Sequence, residues 1–412
     1  MKRLSIFTIA AWLVAAGWAV VPRSVSTATL NDAAAGFDGL TNGVLTQAEF
    51  DAALDVFNEQ ESIAQGLGPV YNAQSCAECH QNPVSGGVSQ VTEVRAGRLN
   101  AFGRFIDHPG GSLIHSRAID ATAQEHVLPG HPVRTLRTSL NTLGDGFVEA
   151  ISNGTLLSIA ARQPVLSGGV IAGQAISVPV NEAGGALRIG RFGWKDQHAS
   201  LLSFAADAYL NEMGITSPLQ PVENTTNGKP IAQYDHVADP ENDGGDVETF
   251  AQFMRSTMPP ARDADLAATA EAQRGQQLFS AIGCNICHIT SLTTAPAGTL
   301  INGGAFTVPA ALGNKIIHPY SDFLLHDVGT GDGIAQVNIP NSSALDQSMK
   351  NKVRTAPLWG IRTRNELMHD GENYTRNESI LRHANEANGV INNYRSLSNT
   401  QKNQLVTFLN SL

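Results

Sequence analysis

Cysteine is scarce in this chain, with four in 412 residues. All four fall inside two short motifs, so no thiol is left over for exchange with a partner's disulfide. Charged residues make up 16% and aromatic residues 6%, whereas glycine reaches 39. That balance predicts a globular protein with long, turn-rich connections. A basic excess is also missing: the formal net charge is −10, the wrong sign for a nucleic-acid-binding surface. Past residue 21 no run is apolar and long enough to span a bilayer. There is no low-complexity tract, and no repeat beyond the cysteine motif. The length suits two or more cores at roughly 150 residues per domain.

The two motifs are Cys76-Ala77-Glu78-Cys79-His80 and Cys284-Asn285-Ile286-Cys287-His288. Thiols at this spacing add to the two vinyl groups of one haem, and the imidazole that follows becomes the proximal iron ligand. A redox dithiol has no use for the histidine. A zinc site would bring its cysteine pairs closer than the roughly 200 residues that separate these. The residues therefore predict two covalently bound c-type haems, with His80 and His288 on the irons.

Residues 1–28 read as an export signal: Lys2 and Arg3, an apolar run from Leu4 to Val21, then Ser26-Thr27-Ala28 at a cleavage position. The run is long for a signal, so retention as a membrane anchor is the alternative. Cleavage would remove three cations, Lys2, Arg3 and Arg23, and no acid, taking the charge from −10 to −13. An acidic surface would steer a basic redox partner.

Along the chain, Thr46 and Glu49 form a capping box ahead of Phe50, Ala53, Leu54 and Phe57 at helical spacing, a helix expected behind the first haem. Asp38, Asn42, Gly43 and Glu49 resemble a calcium loop, but Leu40 sits where an oxygen ligand is required, which favours a capped turn. A Gly-rich loop, residues 81–87, should run over the haem edge. Residues 91–120 read as short strands, 139–161 as a helix, and 165–192 as hairpin strands. Pro218, Pro221, Pro230 and Pro240 mark an irregular connection. Helices are expected again at 246–254 and 263–282. Ser398 and Gln401 cap a last helix carrying Leu405, Phe408, Leu409 and Leu412, which should cross the helix before the second motif at Gly275, four residues from Phe279. The expected fold is mainly α with β-hairpin insertions, organised as two cytochrome c-like haem domains at 29–245 and 246–412.

Four segments carry a family resemblance: Gly190-Arg191-Phe192-Gly193-Trp194-Lys195; Met213-Gly214-Ile215-Thr216; His318-Pro319-Tyr320-Ser321-Asp322 with Leu324-Leu325-His326-Asp327; and Thr355-Ala356-Pro357-Leu358-Trp359-Gly360. From about Asp38 onward the chain resembles the bacterial di-haem oxidoreductases, also labelled thiol oxidoreductases. These are similar to di-haem cytochrome c peroxidases and to the enzyme that matures methylamine dehydrogenase. Likeness to the peroxidases themselves is clear only in the C-terminal half.

In that half Met368-His369-Asp370-Gly371 matches the peroxidases' His-Asp-Gly motif, which places His369 at the haem. The sixth iron ligand in those relatives lies fourteen residues past that histidine, and here that residue is His383. The resemblance thus implies His288/His383 ligation, with Met368 and His326 as alternatives, and a lower potential than a thioether would give. Thr355 and Pro357 match residues whose backbone oxygens hold a calcium ion between the haems. Trp194 and Trp359 are candidate electron relays. For the first haem the sixth position stays open, with His108, His115, His126 and His131 as candidates. Arg191, Lys195 and Gln197, beside Trp194, are the expected acid–base and charge-stabilising groups.

The implied activity is periplasmic and peroxidase-like. A small redox protein would deliver electrons to the C-terminal haem, and peroxide would be reduced at the N-terminal one. The alternatives are a di-haem electron carrier without substrate chemistry, or oxidation of an external thiol or protein.

Overall fold

The computed structural model describes residues 30–335 and 347–412; the expected export signal lies outside them. Among the described residues no helix is long and apolar enough to cross a membrane.

The first helix, Gln47–Asn58, starts at the Thr46/Glu49 capping box and buries Phe50, Ala53 and Phe57. The residues of the calcium-like loop are spent on this turn and its surroundings. Glu49 Oε2 accepts from the Thr46 amide at 2.9 Å, and the Asn42 amide donates to the carbonyls of Arg255 and Thr257. Phe57 and Phe50 pack on Phe253 at 4.5 and 5.4 Å. Phe253 belongs to the helix Gly245–Ser256, which also packs on the helix Leu201–Met213. The largest core accordingly draws from both sides of residue 245, including Phe57, Phe147 and Tyr209 before it and Phe250, Leu312 and Trp359 after it.

A four-stranded antiparallel sheet stands over these helices. Thr92–Leu99 pairs along its length with Val133–Thr138, and on its other edge with Phe105–Asp107 and Leu113–Ile114. Side chains two residues apart share a face, so Glu93, Arg95 and the directly opposed Arg137 point the same way.

Two sequence expectations change here. The single helix expected at 139–161 is instead a loop, a short helix Asp145–Glu149, and a helix Asn153–Leu166 capped by Ser152. The break falls at Ser152, which is extended (ψ 149°) and caps the second helix by accepting from the Thr155 amide. The strands expected at 165–192 reduce to one hairpin, Ser177–Val180 with Ala186–Ile189. The fold is therefore mixed, with helices carrying the cores and small sheets spread between them.

Near the C-terminus the helices Ala270–Ala281 and Asn399–Asn410 cross in close contact around a second core of Phe279, Tyr320, Tyr394, Leu405 and Phe408. The crossing point is Gly275, where a Cβ would lie 2.0 Å from the Gln404 carbonyl oxygen and 2.7 Å from Phe408 Cβ. Gly275→Ala would gain roughly 0.5–1 kcal/mol of helix propensity. Forcing the helices apart costs about 1–3 kcal/mol. The variant should therefore unfold at lower denaturant concentration than the parent, with the loss concentrated in this helix pair.

Candidate functional site

Each cysteine–histidine motif opens onto its own cavity. One, partly open to solvent, is lined by Cys284, Cys287, His288, His326, Met368, His369 and His383. Its other walls are mostly apolar. The second is lined by Cys79 and His80. Its remaining walls are rich in charge and amide: Glu93, Arg95, Gln197, Asp207, Asn211 and Glu212. No two of the four cysteines are joined in a disulfide. Burial pushes Cys76, Cys79 and Cys284 up to about 12.

Three histidines have the form an iron ligand needs. His80 Nδ1 faces the Gly87 carbonyl at 3.1 Å, His288 Nδ1 the Tyr320 carbonyl at 2.9 Å, and His383 Nδ1 the Ser379 carbonyl at 2.8 Å. A carbonyl can only accept, so Nδ1 carries the proton and Nε2 keeps its lone pair. Burial lowers all three pKa values, His288 to about 4, which keeps the rings neutral. Tyr320 holds its carbonyl in place from a left-handed backbone conformation, φ 52°, a strained geometry of the kind found around binding sites. These donors fit a haem in each cavity.

His383 is positioned by the short helix Arg376–Arg382, which starts at a Thr375/Glu378 capping box. Arg382 donates to both Asp370 carboxylate oxygens and to Asn373. Burial opposes the Asp370 charge, but the hydrogen bonds from Arg382 and the Glu372 amide, together with the neighbouring His369 and Arg382, hold that carboxyl below its ordinary range. Asp370 thus ties the His-Asp-Gly turn to the residue next to His383. His369 lines the same cavity, its ring 6.1 Å from Trp194 and its buried Nδ1 without a hydrogen-bond partner among the described residues. His326 has both nitrogens engaged, Nε2 by Asp322 at 2.9 Å and Nδ1 by Glu386 at 2.8 Å, and so has none free for iron.

Trp194 and Arg354 line both cavities. The indole Nε1 donates to the Thr138 carbonyl at 2.8 Å, and Arg354 Nε donates to the Gly193 carbonyl at 2.8 Å. Thr355, Pro357 and Trp359 line the His288 cavity, and the Thr355 carbonyl accepts from the Ser321 hydroxyl. The loop after His80 reaches across the partition: Asn82, Pro83 and Val88 contribute to the wall of the other cavity.

Of the four expected catalytic residues, the structure brings Trp194 and Gln197 to a cavity and leaves Arg191 and Lys195 out of both. Arg191 is fully buried and donates to the carbonyls of Ile189 and Ile151 and to Asn153. Lys195, equally buried, pairs with Asp332 at 2.7 Å and donates to the carbonyls of Met349 and Lys352. The turn from Gly190 to His198 is so tight that a Cβ on Gly190 would lie 1.9 Å from the Asp196 carbonyl oxygen. It sends Trp194 and Gln197 to one side and the two cations into the interior, where they act as struts. The four candidate sixth ligands of the first haem also miss its cavity. His115, for example, is bound to Glu125 at 2.7 Å and to the Asn211 carbonyl at 2.9 Å.

The polar cluster in the His80 cavity escaped the sequence reading. Glu93 and Arg95 form a bidentate pair at 2.8 and 3.0 Å. The Glu93 carboxylate is hydrogen-bonded to that of Glu212, which also accepts from Asn72 Nδ2 at 2.9 Å. Burial, then the neighbouring Glu93 charge, pushes Glu212 up to about 8. Burial works against the Glu93 charge too, but Arg95 outweighs it and holds that carboxyl low. The hydrogen bond between the two carboxylates requires a shared proton, and Arg95 beside Glu93 biases it toward Glu212.

Two buried Cys-x-x-Cys-His cavities with a shared tryptophan wall define a redox protein with room for two prosthetic groups. The family profile described as "Di-haem oxidoreductase, putative peroxidase" matches residues 115–412, and the chain belongs to that family. The match begins past the first cysteine motif. No curated protein matches the sequence. Among solved structures, the chain is 14% identical to Kuenenia stuttgartiensis hydrazine synthase pressurised with xenon, with a TM-score of 0.41 over 99% of this chain and 100% of that one. It is also 14% identical to a MauG-like protein associated with microbial copper homeostasis, with a TM-score of 0.42 over 89% of this chain and 90% of that one.

Proposed function

We propose that this protein is an exported, periplasmic di-haem c-type cytochrome that reduces peroxide. Cys284 and Cys287 would attach one haem, with His288 and His383 as the residues to hold its iron, and electrons from a small redox protein would enter at this site. Cys76, Cys79 and His80 would hold the other, at the site where peroxide is reduced. Each forms the centre of a cytochrome c-like module, with a calcium ion on the Thr355 and Pro357 carbonyls between them.

The observation that carries this reading is the asymmetry of the two cavities. The lining of the His288 cavity includes His383, whereas that of the His80 cavity has, among the described residues, no second histidine and no methionine but does have the Glu93–Glu212 pair. When bound, the haems would supply one-electron transfer and the redox chemistry of peroxide reduction. The chain supplies the protons. Peroxide takes up two electrons and two protons to give two waters, and Glu212 holds a proton in the polar cavity beside His80. Arg95 keeps Glu93 charged, and the Glu93 charge in turn keeps the proton on Glu212. Gln197 offers an amide to the same space. Trp194, in the partition, sits where electrons cross.

This arrangement sets the pH dependence. Glu212's carboxyl titrates near 8 rather than in the ordinary range. Its proton is present below that pH and lost above it, so peroxide turnover should be level through neutrality and fall about tenfold per unit once pH exceeds 8. Steady-state peroxide reduction from pH 6 to 10 tests this. A profile that keeps rising above pH 8 would exclude Glu212 as the proton source.

A further inference from the structure

The helix Leu201–Met213 turns Phe204, Asp207, Ala208 and Asn211 into the His80 cavity. Tyr209 lies on its other side, 3% exposed. Its ring packs edge-on against Phe250 at 5.1 Å, and its hydroxyl donates to Glu61 Oε1 at 2.8 Å. Glu61 is itself 7% exposed. The Glu61 amide donates to the Gln74 carbonyl at 2.8 Å, two residues before Cys76, and Cys76 packs against the same core as Tyr209. The Asp246 carboxylate also reaches the Tyr209 hydroxyl, and only further acids, not cations, act on Glu61. A phenol beside the attachment cysteine of the first haem thus has a buried carboxylate ready to accept its proton.

Removing an electron from a phenol is feasible at moderate potential only when the proton leaves with it. A hydrogen-bonded base at 2.8 Å provides that path without solvent. We propose that Tyr209 is a redox-active residue that gives one electron to the His80 site during the reaction with peroxide, resting on the peroxide reading above. The electron leaves the phenol, the proton crosses to Glu61, and a neutral tyrosyl radical remains beside a neutral carboxylic acid. Of the two electrons that peroxide takes, Tyr209 supplies one and the redox protein the other. A later electron from the redox protein restores the phenol, and Glu61 returns the proton.

The test is paramagnetic resonance of the di-haem protein frozen after mixing with hydrogen peroxide, with visible spectra recorded in parallel. The expected result is a narrow radical signal that sharpens in protein grown with ring-deuterated tyrosine. It should be lost in Tyr209→Phe, which keeps the ring on Phe250, and reduced in Glu61→Gln, which keeps a hydrogen-bond acceptor but weakens the base. Tyr71→Phe should leave it unchanged. If peroxide alters the visible spectrum but the radical is absent, or persists in Tyr209→Phe, this inference fails alone. If peroxide leaves the spectrum untouched, the peroxide reading fails and takes the inference with it.

Discussion

Glu212→Gln is expected to lower peroxide turnover by roughly 10²–10⁴-fold, the range typical of losing a positioned acid, while leaving both haem spectra in place. The substitution preserves shape: a glutamine side chain can still accept from Asn72 Nδ2, which now bonds Glu212 at 2.9 Å. The proton available near neutral pH disappears, however, because an amide does not donate one to a leaving oxygen. The pH profile should lose its fall above 8 together with the activity, since the group that titrates there is gone. Arg95→Met should act in the same direction through Glu93. Without the guanidinium, held at 2.8 and 3.0 Å, Glu93 would be free to take the proton itself. Stopped-flow peroxide consumption by the reduced protein measures both effects. An unaltered rate in Glu212→Gln would assign the acid elsewhere.

His383→Met should raise the midpoint potential of the second haem. Axial ligands move haem potentials over a range of about 0.8 V, and replacing imidazole by thioether shifts them upward, by roughly 100–200 mV here. His383→Ala should instead open the site and turn a low-spin haem high-spin. The effect should stay local, because the anchors of the preceding helix do not involve the imidazole: the Thr375/Glu378 cap and the Arg382–Asp370 pair remain. Electron entry would then slow or stop, depending on the donor's potential, and peroxide reduction would fall while the His80 site kept its spectrum. Potentiometric titration of each haem band measures the shift.

Much of this arrangement is legible in the sequence wherever local chemistry dictates it. The capping boxes at Thr46 and Ser398, the Gly275 crossing and the two cysteine motifs each state a short-range requirement, and the structure meets them in place. The helix Leu201–Met213 was also readable, though missed: Ser200 caps it, Gly214 ends it in a left-handed conformation, and Leu201, Ala205, Tyr209 and Met213 repeat at helical spacing. Overlooking it hid Glu212. Glu93 and Arg95 could not have been nominated from spacing alone, because their meeting with Glu212 depends on how a strand and a helix more than a hundred residues apart pack around one cavity. Arg191 and Lys195 mislead for the opposite reason. They flank Trp194 in sequence, but in so tight a turn neighbouring side chains leave in different directions, and backbone carbonyls with Asp332 claim both cations.

The account stands on the difference between the two cavities, and paramagnetic resonance of the oxidised di-haem protein reads that difference most directly. It predicts one low-spin haem with two imidazole ligands, insensitive to cyanide, and one high-spin haem that cyanide converts to low spin. Two low-spin haems that ignore both cyanide and peroxide would contradict it and leave an electron carrier in its place.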